Sequence, residues 1–89
     1  MVRKHMIFYG RVQGVGFRYT AYKVAVELGL TGYVTNRYDG TVEMEVQGQW
    51  DKMQYLVPMI EKSGRYIRIE DIDQKAISVV EDEHKFIVK

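Results

Sequence analysis

Apolar residues change their spacing abruptly at Gly14 and Gly16, and that change dictates a strand followed by a helix. Residues 5–12 alternate, with Met6, Phe8 and Val12 on one side and Ile7, Tyr9 and Arg11 on the other. A spacing of two belongs to a strand, here with at least one well-buried face. From Phe17 to Leu28 the spacing widens. Ala21, Tyr22, Ala25, Val26 and Leu28 fall near the i, i+3, i+4, i+7 positions of an amphipathic helix. Gly29 ends the helix as a left-handed cap, and Leu30 is placed for the hydrophobic contact that accompanies such caps.

The remainder repeats the switch. Gly32 opens a second strand, Tyr33 to Arg37, and Asp39-Gly40 is a hairpin turn. In the third strand Val42, Met44 and Val46 face inward, while Thr41, Glu43, Glu45 and Gln47 face outward; Gly48 stops it. Trp50, Met53, Leu56, Val57 and Ile60 give a second core-facing helix that ends at Gly64. Pro58 lies inside that pattern and predicts a bend or an early end, because proline costs ~3 kcal/mol in a helix interior. Ile67, Ile69 and Ile72 mark a fourth strand whose phase slips near Glu70-Asp71, the signature of a bulge. Ile77, Val79 and Val80, then Phe86 and Val88, read as a weaker strand pair across the acidic turn Glu81-Asp82-Glu83. The order is β-α-β-β-α-β with an extra C-terminal strand. One helix crossover per half, with a hairpin between, predicts an α+β ferredoxin-like sandwich: an antiparallel sheet with two helices on one face.

Composition limits what such a fold can do. A chain of 89 residues has room for one core and not for two domains. It has no cysteine, which excludes a disulfide framework, a zinc-thiolate site and a cysteine nucleophile. Thirteen basic and 12 acidic side chains give a net charge of +1, too balanced for binding a polyanion by bulk charge. Residues 1–45 carry six basic and four acidic groups, a net of +2, and residues 46–89 carry seven and eight, a net of −1. An anion site therefore belongs in the first half. No apolar run approaches the ~18–20 residues of a membrane span, and the N-terminal one is too short for a signal-peptide core. A cytoplasmic, monomeric protein is expected.

Two segments carry candidate chemistry. The first is Gly10-Arg11-Val12-Gln13-Gly14-Val15-Gly16-Phe17-Arg18, where the first strand turns into the first helix. Glycines let successive amides converge on an anion, and a helix N-terminus adds partial positive charge. Arg18 adds a guanidinium whose fork matches phosphate. The sum is a phosphate cradle; the competing reading is a tight turn whose glycines only solve a steric problem. The second segment is Gly32-Tyr33-Val34-Thr35-Asn36-Arg37-Tyr38-Asp39-Gly40. The expected topology runs the first two strands in one direction with the third between them. Asn36 then lies at the same sheet edge as the cradle, ~10 Å away. Alternatively, Asn36 only satisfies its own turn.

Together the two segments resemble the acylphosphatase family. Gly10-x-Val12-Gln13-Gly14-Val15-Gly16-Phe17-Arg18 matches its first signature; Gly32-Tyr33-Val34-x-Asn36, Gly40-x-Val42 and Gly48 match its second. Length and element order agree, so the resemblance covers residues 1–89 as one acylphosphatase-like domain. Three features depart from the family pattern: Thr35 in place of a longer, often basic residue, Ser63-Gly64-Arg65-Tyr66 in place of a Gly-Pro-rich stretch, and Pro58. The resemblance implies hydrolysis of an acyl phosphate to carboxylate and inorganic phosphate. Arg18 and the amides of Gln13, Gly14, Val15, Gly16, Phe17 and Arg18 would bind the phosphate, and Asn36 would hold the attacking water. No metal, cofactor, nucleic acid or membrane is implied, only a small-molecule acyl phosphate.

Other readings remain open to test. RNA-recognition motifs share the element order, and Gly14-Val15-Gly16-Phe17-Arg18-Tyr19 is faintly similar to one of their aromatic motifs. That motif, however, sits on a central strand and not at a helix start. A catalytically silent anion-binding domain would keep Arg18 but would not need Asn36. An acylphosphatase-like module of a larger carbamoyl-transfer enzyme is a third possibility. His5 and His84 read as structural or surface histidines in strands. Asp71 and Asp73 read as a solvated sheet face, and Glu81-Asp82-Glu83 as a turn.

Overall fold

The computed structural model describes residues 1–89. Strand β1 is Val2–Arg11, helix α1 Phe17–Glu27, β2 Thr31–Asn36 and β3 Val42–Gly48. Two helical segments follow, α2 at Trp50–Met53 and α3 at Leu56–Ser63, and then β4 at Arg68–Ile77 and β5 at Phe86–Val88. The five strands form one sheet in the order β4-β1-β3-β2-β5. β3 is antiparallel to both β1 and β2, so β1 and β2 run in the same direction and end at the same edge. This α+β ferredoxin-like arrangement places Arg11 and Asn36 at one end of the sheet.

Side-chain alternation decides which sheet face the helices cover. Met6, Phe8, Val34, Val42, Met44 and Val46 point to the helices and are buried with Phe17, Ala21, Val24 and Ala25 of α1 and Leu56 and Ile60 of α3. The Phe8 and Phe17 rings meet at 4.9 Å between centroids. The buried stripe of α1 is narrower than its apolar composition predicts: Tyr22 and Val26 are exposed, and Val24 takes the inward position. Helical spacing sets Tyr22 outside the buried stripe and Val26 nearly opposite its centre, so both face solvent despite their apolarity.

The second helix is broken at Gln54-Tyr55, upstream of Pro58. In a continuous helix the Pro58 ring would strike the carbonyl of Gln54, four residues earlier. The break makes Pro58 the third residue of α3, where a missing N–H costs nothing because first-turn amides lack intrahelical partners. It also changes the place of Trp50. That side chain is 56% exposed, not core, and lies within 5.2 Å of the Lys4 ammonium. The short α2 buries Met53 instead.

The phase slip in β4 is a bulge. Tyr9 pairs with Asp71 and Gly10 with Ile69, leaving Glu70 as the extra residue. Gly10 has φ 120°, and a Cβ there would run into the Arg68 carbonyl.

The expected terminal strand pair does not form. Ile77 completes β4, Val79 and Val80 lie exposed in a loop, and β5 joins the opposite edge, parallel to β2. The sheet is therefore mixed, not wholly antiparallel. His84 falls in the loop before β5, not in a strand. Gln47 replaces the missing strand partner: its amide donates to the Val80 carbonyl at 2.9 Å and accepts from the Val80 N–H at 2.8 Å. The acidic turn is anchored as well. The buried Arg3 guanidinium bonds Glu83 at 2.8 Å and Glu45 at 2.9 Å, and Glu83 also accepts from Thr31 at 2.7 Å. No helix is long and apolar enough to cross a membrane.

Candidate functional site

The loop between β1 and α1 contains two residues with left-handed backbone, Gly14 (φ 73°) and Gly16 (φ 78°). Such φ values strain any L side chain, while glycine adopts them freely. Gly16 is the N-cap of α1, and no side chain caps the helix or adds an acid to its first turn. The amides of residues 13–18 donate to no backbone acceptor; Thr20 is the first to bond back, to Gly16 at 3.0 Å. Open donors at a helix start, without a resident carboxylate, are chemically suited to receive an anion as a cradle.

Gln13 fixes the cradle to its neighbour. Its side-chain amide donates to the carbonyls of Arg37 at 2.7 Å and Thr41 at 2.9 Å, both in the β2–β3 hairpin. The hairpin has its own brace: Asp39 accepts from the Thr41 hydroxyl at 2.6 Å and from its N–H at 3.0 Å. Those bonds hold the Asp39 carboxyl below its ordinary pKa. The side chain of Gln13 thus joins the two sequence signatures, a role that spacing alone did not reveal.

Arg18 lies one residue into α1 and is half-buried. Its Nη1 donates to the Lys89 carbonyl oxygen at 2.6 Å, just beyond β5. Lys89 is held in turn, with its N–H on the Val34 carbonyl at 2.9 Å and its ammonium 4.0 Å from the Tyr33 ring centroid. The terminal segment therefore orients the guanidinium from the β2 edge.

A cavity of about 490 Å³ opens at this place, lined by Val12, Gly14, Gly16, Phe17, Arg18, Tyr19, Asn36 and Val88. Of the residues singled out from the sequence, Gly14, Gly16, Phe17, Arg18 and Asn36 line it together. Gln13 and Val15 do not: the first turns to the hairpin and the second packs against the core. Asn36 is exposed at the last position of β2. Tyr19 and Val88 are additions. Val88 was hidden because β5 was expected to pair elsewhere, and Tyr19 because helical spacing marks a residue only as inside or outside.

His5 is engaged on the open sheet face, 2.7 Å from Glu43. Asp73 on that face accepts from the Tyr9 hydroxyl at 2.9 Å. Burial, reinforced by Glu43 and Glu45, pushes the nearby Tyr33 phenol up to about 12. None of these groups lines the cavity.

Comparison with known proteins agrees with the architecture and with the family resemblance. The sequence model of the family described as Acylphosphatase matches residues 4–88. An acylphosphatase of Clostridium beijerinckii is 42% identical over 89 residues, covering 100% of this chain and 99% of its own. The crystal structure of acylphosphatase from Bacillus subtilis superposes with a TM-score of 0.91 at 34% identity, covering 100% of this chain and 99% of that one. T. kodakarensis HypF superposes with a TM-score of 0.86 at 33% identity, where this chain covers 12% of that one. The chain belongs to the acylphosphatase family.

Proposed function

We propose that the protein hydrolyses acyl phosphates to a carboxylate and inorganic phosphate, with the phosphoryl group seated in the loop of residues 13–18. The observation that carries this reading is the meeting of open loop amides, Arg18 and Asn36 around one cavity. The amides and the guanidinium neutralise the phosphoryl oxygens. Asn36 accepts a hydrogen bond from a water and directs its lone pair at phosphorus. The new P–O bond forms as the bond to the acyl oxygen breaks, and the electron pair leaves with the carboxylate.

This chemistry suits residues that do not titrate. The departing carboxylate has a conjugate acid of pKa ~4–5, so it leaves without being protonated. No general acid is required. An amide such as Asn36 orients the water but cannot take its proton, which passes to a phosphoryl oxygen. Phosphoryl transfer goes through a loose transition state in which positioning and charge stabilisation do most of the work. A preorganised cradle meets that need without metal. The proposed working unit is a monomer with a single acylphosphatase-like domain, residues 1–89.

The test compares leaving groups. In chelator, the protein is expected to turn over acetyl and benzoyl phosphate but not an alkyl phosphomonoester, whose alkoxide needs a proton to depart. Equal turnover of the ester, or none of the anhydrides, would overturn the proposal.

A further inference from the structure

The phosphate, the guanidinium and the water account for only part of the cavity. Its remaining wall is apolar. Val12 and Phe17 contribute little surface to it, being 1% and 2% exposed. Tyr19 and Val88 differ: they are 66% and 45% exposed and line the same cavity. Both adjoin the proposed phosphate-binding guanidinium. Tyr19 follows Arg18 in the first turn of α1, and Val88 precedes Lys89, whose carbonyl receives the Arg18 hydrogen bond.

The Tyr19 ring is also paired. The Lys23 ammonium, one helical turn further on, lies 5.5 Å from its centroid. A cation at that distance is attracted to the ring face and favours one ring position over free rotation. Val88 is held by parallel pairing with Val34. An exposed tyrosine and an exposed valine, both anchored, thus rise from the site that binds the phosphate.

An acyl phosphate has one part that these residues suit. In-line displacement sends the acyl group away from the attacking water, hence away from Asn36. The lining offers that group a ring and a branched alkyl side chain, and no cation other than Arg18. We infer that Tyr19 and Val88 form a subsite for the acyl group and give the enzyme a preference for planar or bulky apolar acyl phosphates over small ones. Contacts to a part of the substrate that does not react raise kcat/KM when they hold the reacting part in register. The inference rests on the hydrolase reading for its substrate, and the experiment separates the two.

The experiment has a kinetic and a binding arm. In the first, kcat/KM is measured for benzoyl and acetyl phosphate with wild type, Tyr19→Ala, Tyr19→Phe and Val88→Ala. The benzoyl-to-acetyl ratio is expected to fall roughly 10-fold in Tyr19→Ala, less in Val88→Ala, and to hold in Tyr19→Phe, because the ring and not the hydroxyl makes the contact. In the second, phenylphosphonate and methylphosphonate are titrated against the loop amides by NMR. Phenylphosphonate should bind more tightly, and Tyr19→Ala should erase the difference. An unchanged ratio in Tyr19→Ala, or equal binding of the two phosphonates by wild type, overturns the subsite. Absence of turnover by wild type would defeat the hydrolase reading alone, and the phosphonate titration would still decide the subsite.

Discussion

Arg18 has one partner in the structure and a second in the proposed reaction. One of its N–H donors is committed to the Lys89 carbonyl, and the rest of the planar fork is left for an anion. A guanidinium already oriented by the protein loses little freedom when phosphate arrives, so the contact counts almost fully in the transition state. Arg18→Ala is expected to cost about 3 kcal/mol of transition-state stabilisation, on the order of 100-fold in kcat/KM. Arg18→Lys should recover little of it, because a single ammonium cannot hold a carbonyl and a phosphate with one geometry. Steady-state rates of the three proteins check this. A lysine variant with near wild-type kcat/KM would mean that charge alone is needed there.

At the scale of elements, the broken second helix shows how one residue shapes a stretch without touching the site. Pro58 forces the break upstream, and the broken arrangement then tolerates it. Pro58→Ala should therefore change stability by less than about 1 kcal/mol, not the ~3 kcal/mol of a proline in a helix interior. Denaturant unfolding measures it; a gain of several kcal/mol would show that α3 carries real strain. The same break explains Trp50. Its spacing matches a continuous helix, and in a continuous helix it would face the core. Period and glycine position made most elements legible, including the bulge at Glu70. They failed for β5, because a three-residue strand has too little pattern to reveal its partner. The strand is placed by long-range bonds, from Gln47 to Val80 and from Arg3 to Glu83, which no local spacing encodes.

For the whole molecule, the sheet has one dry face and one wet face. The helices cover the first, and the second carries an ionic network centred on Arg3. Burial alone would raise the Glu83 carboxyl, yet the bonds from Arg3 and Thr31 prevail and hold it below its ordinary pKa. A carboxyl lowered in the folded state adds stability above its unfolded pKa and loses it as pH falls through the folded value. Glu83→Gln should thus destabilise the protein by about 1–2 kcal/mol near neutral pH, since Arg3 loses a charged partner but keeps Glu45. The gap between the two proteins should narrow as the pH falls below the ordinary carboxylate range. Urea midpoints across that range check the sign; a gap that widens in acid would rule out the network as its source. The candidate site was legible for a different reason. Its glycines, Arg18 and Asn36 lie in two short stretches, and chain topology alone brings those stretches to one edge. The Gln13 brace and the Tyr19–Val88 wall depend on side-chain direction, which motif spacing does not carry.

The most direct test separates water from phosphate at Asn36. Turnover of benzoyl phosphate and competitive inhibition by inorganic phosphate would be measured on folded wild type and Asn36→Ala. An Asn36 that only holds the water predicts kcat reduced ~100-fold or more, with the phosphate inhibition constant nearly unchanged. A variant that keeps its kcat but loses its affinity for phosphate would contradict the assignment and place Asn36 in the cradle instead.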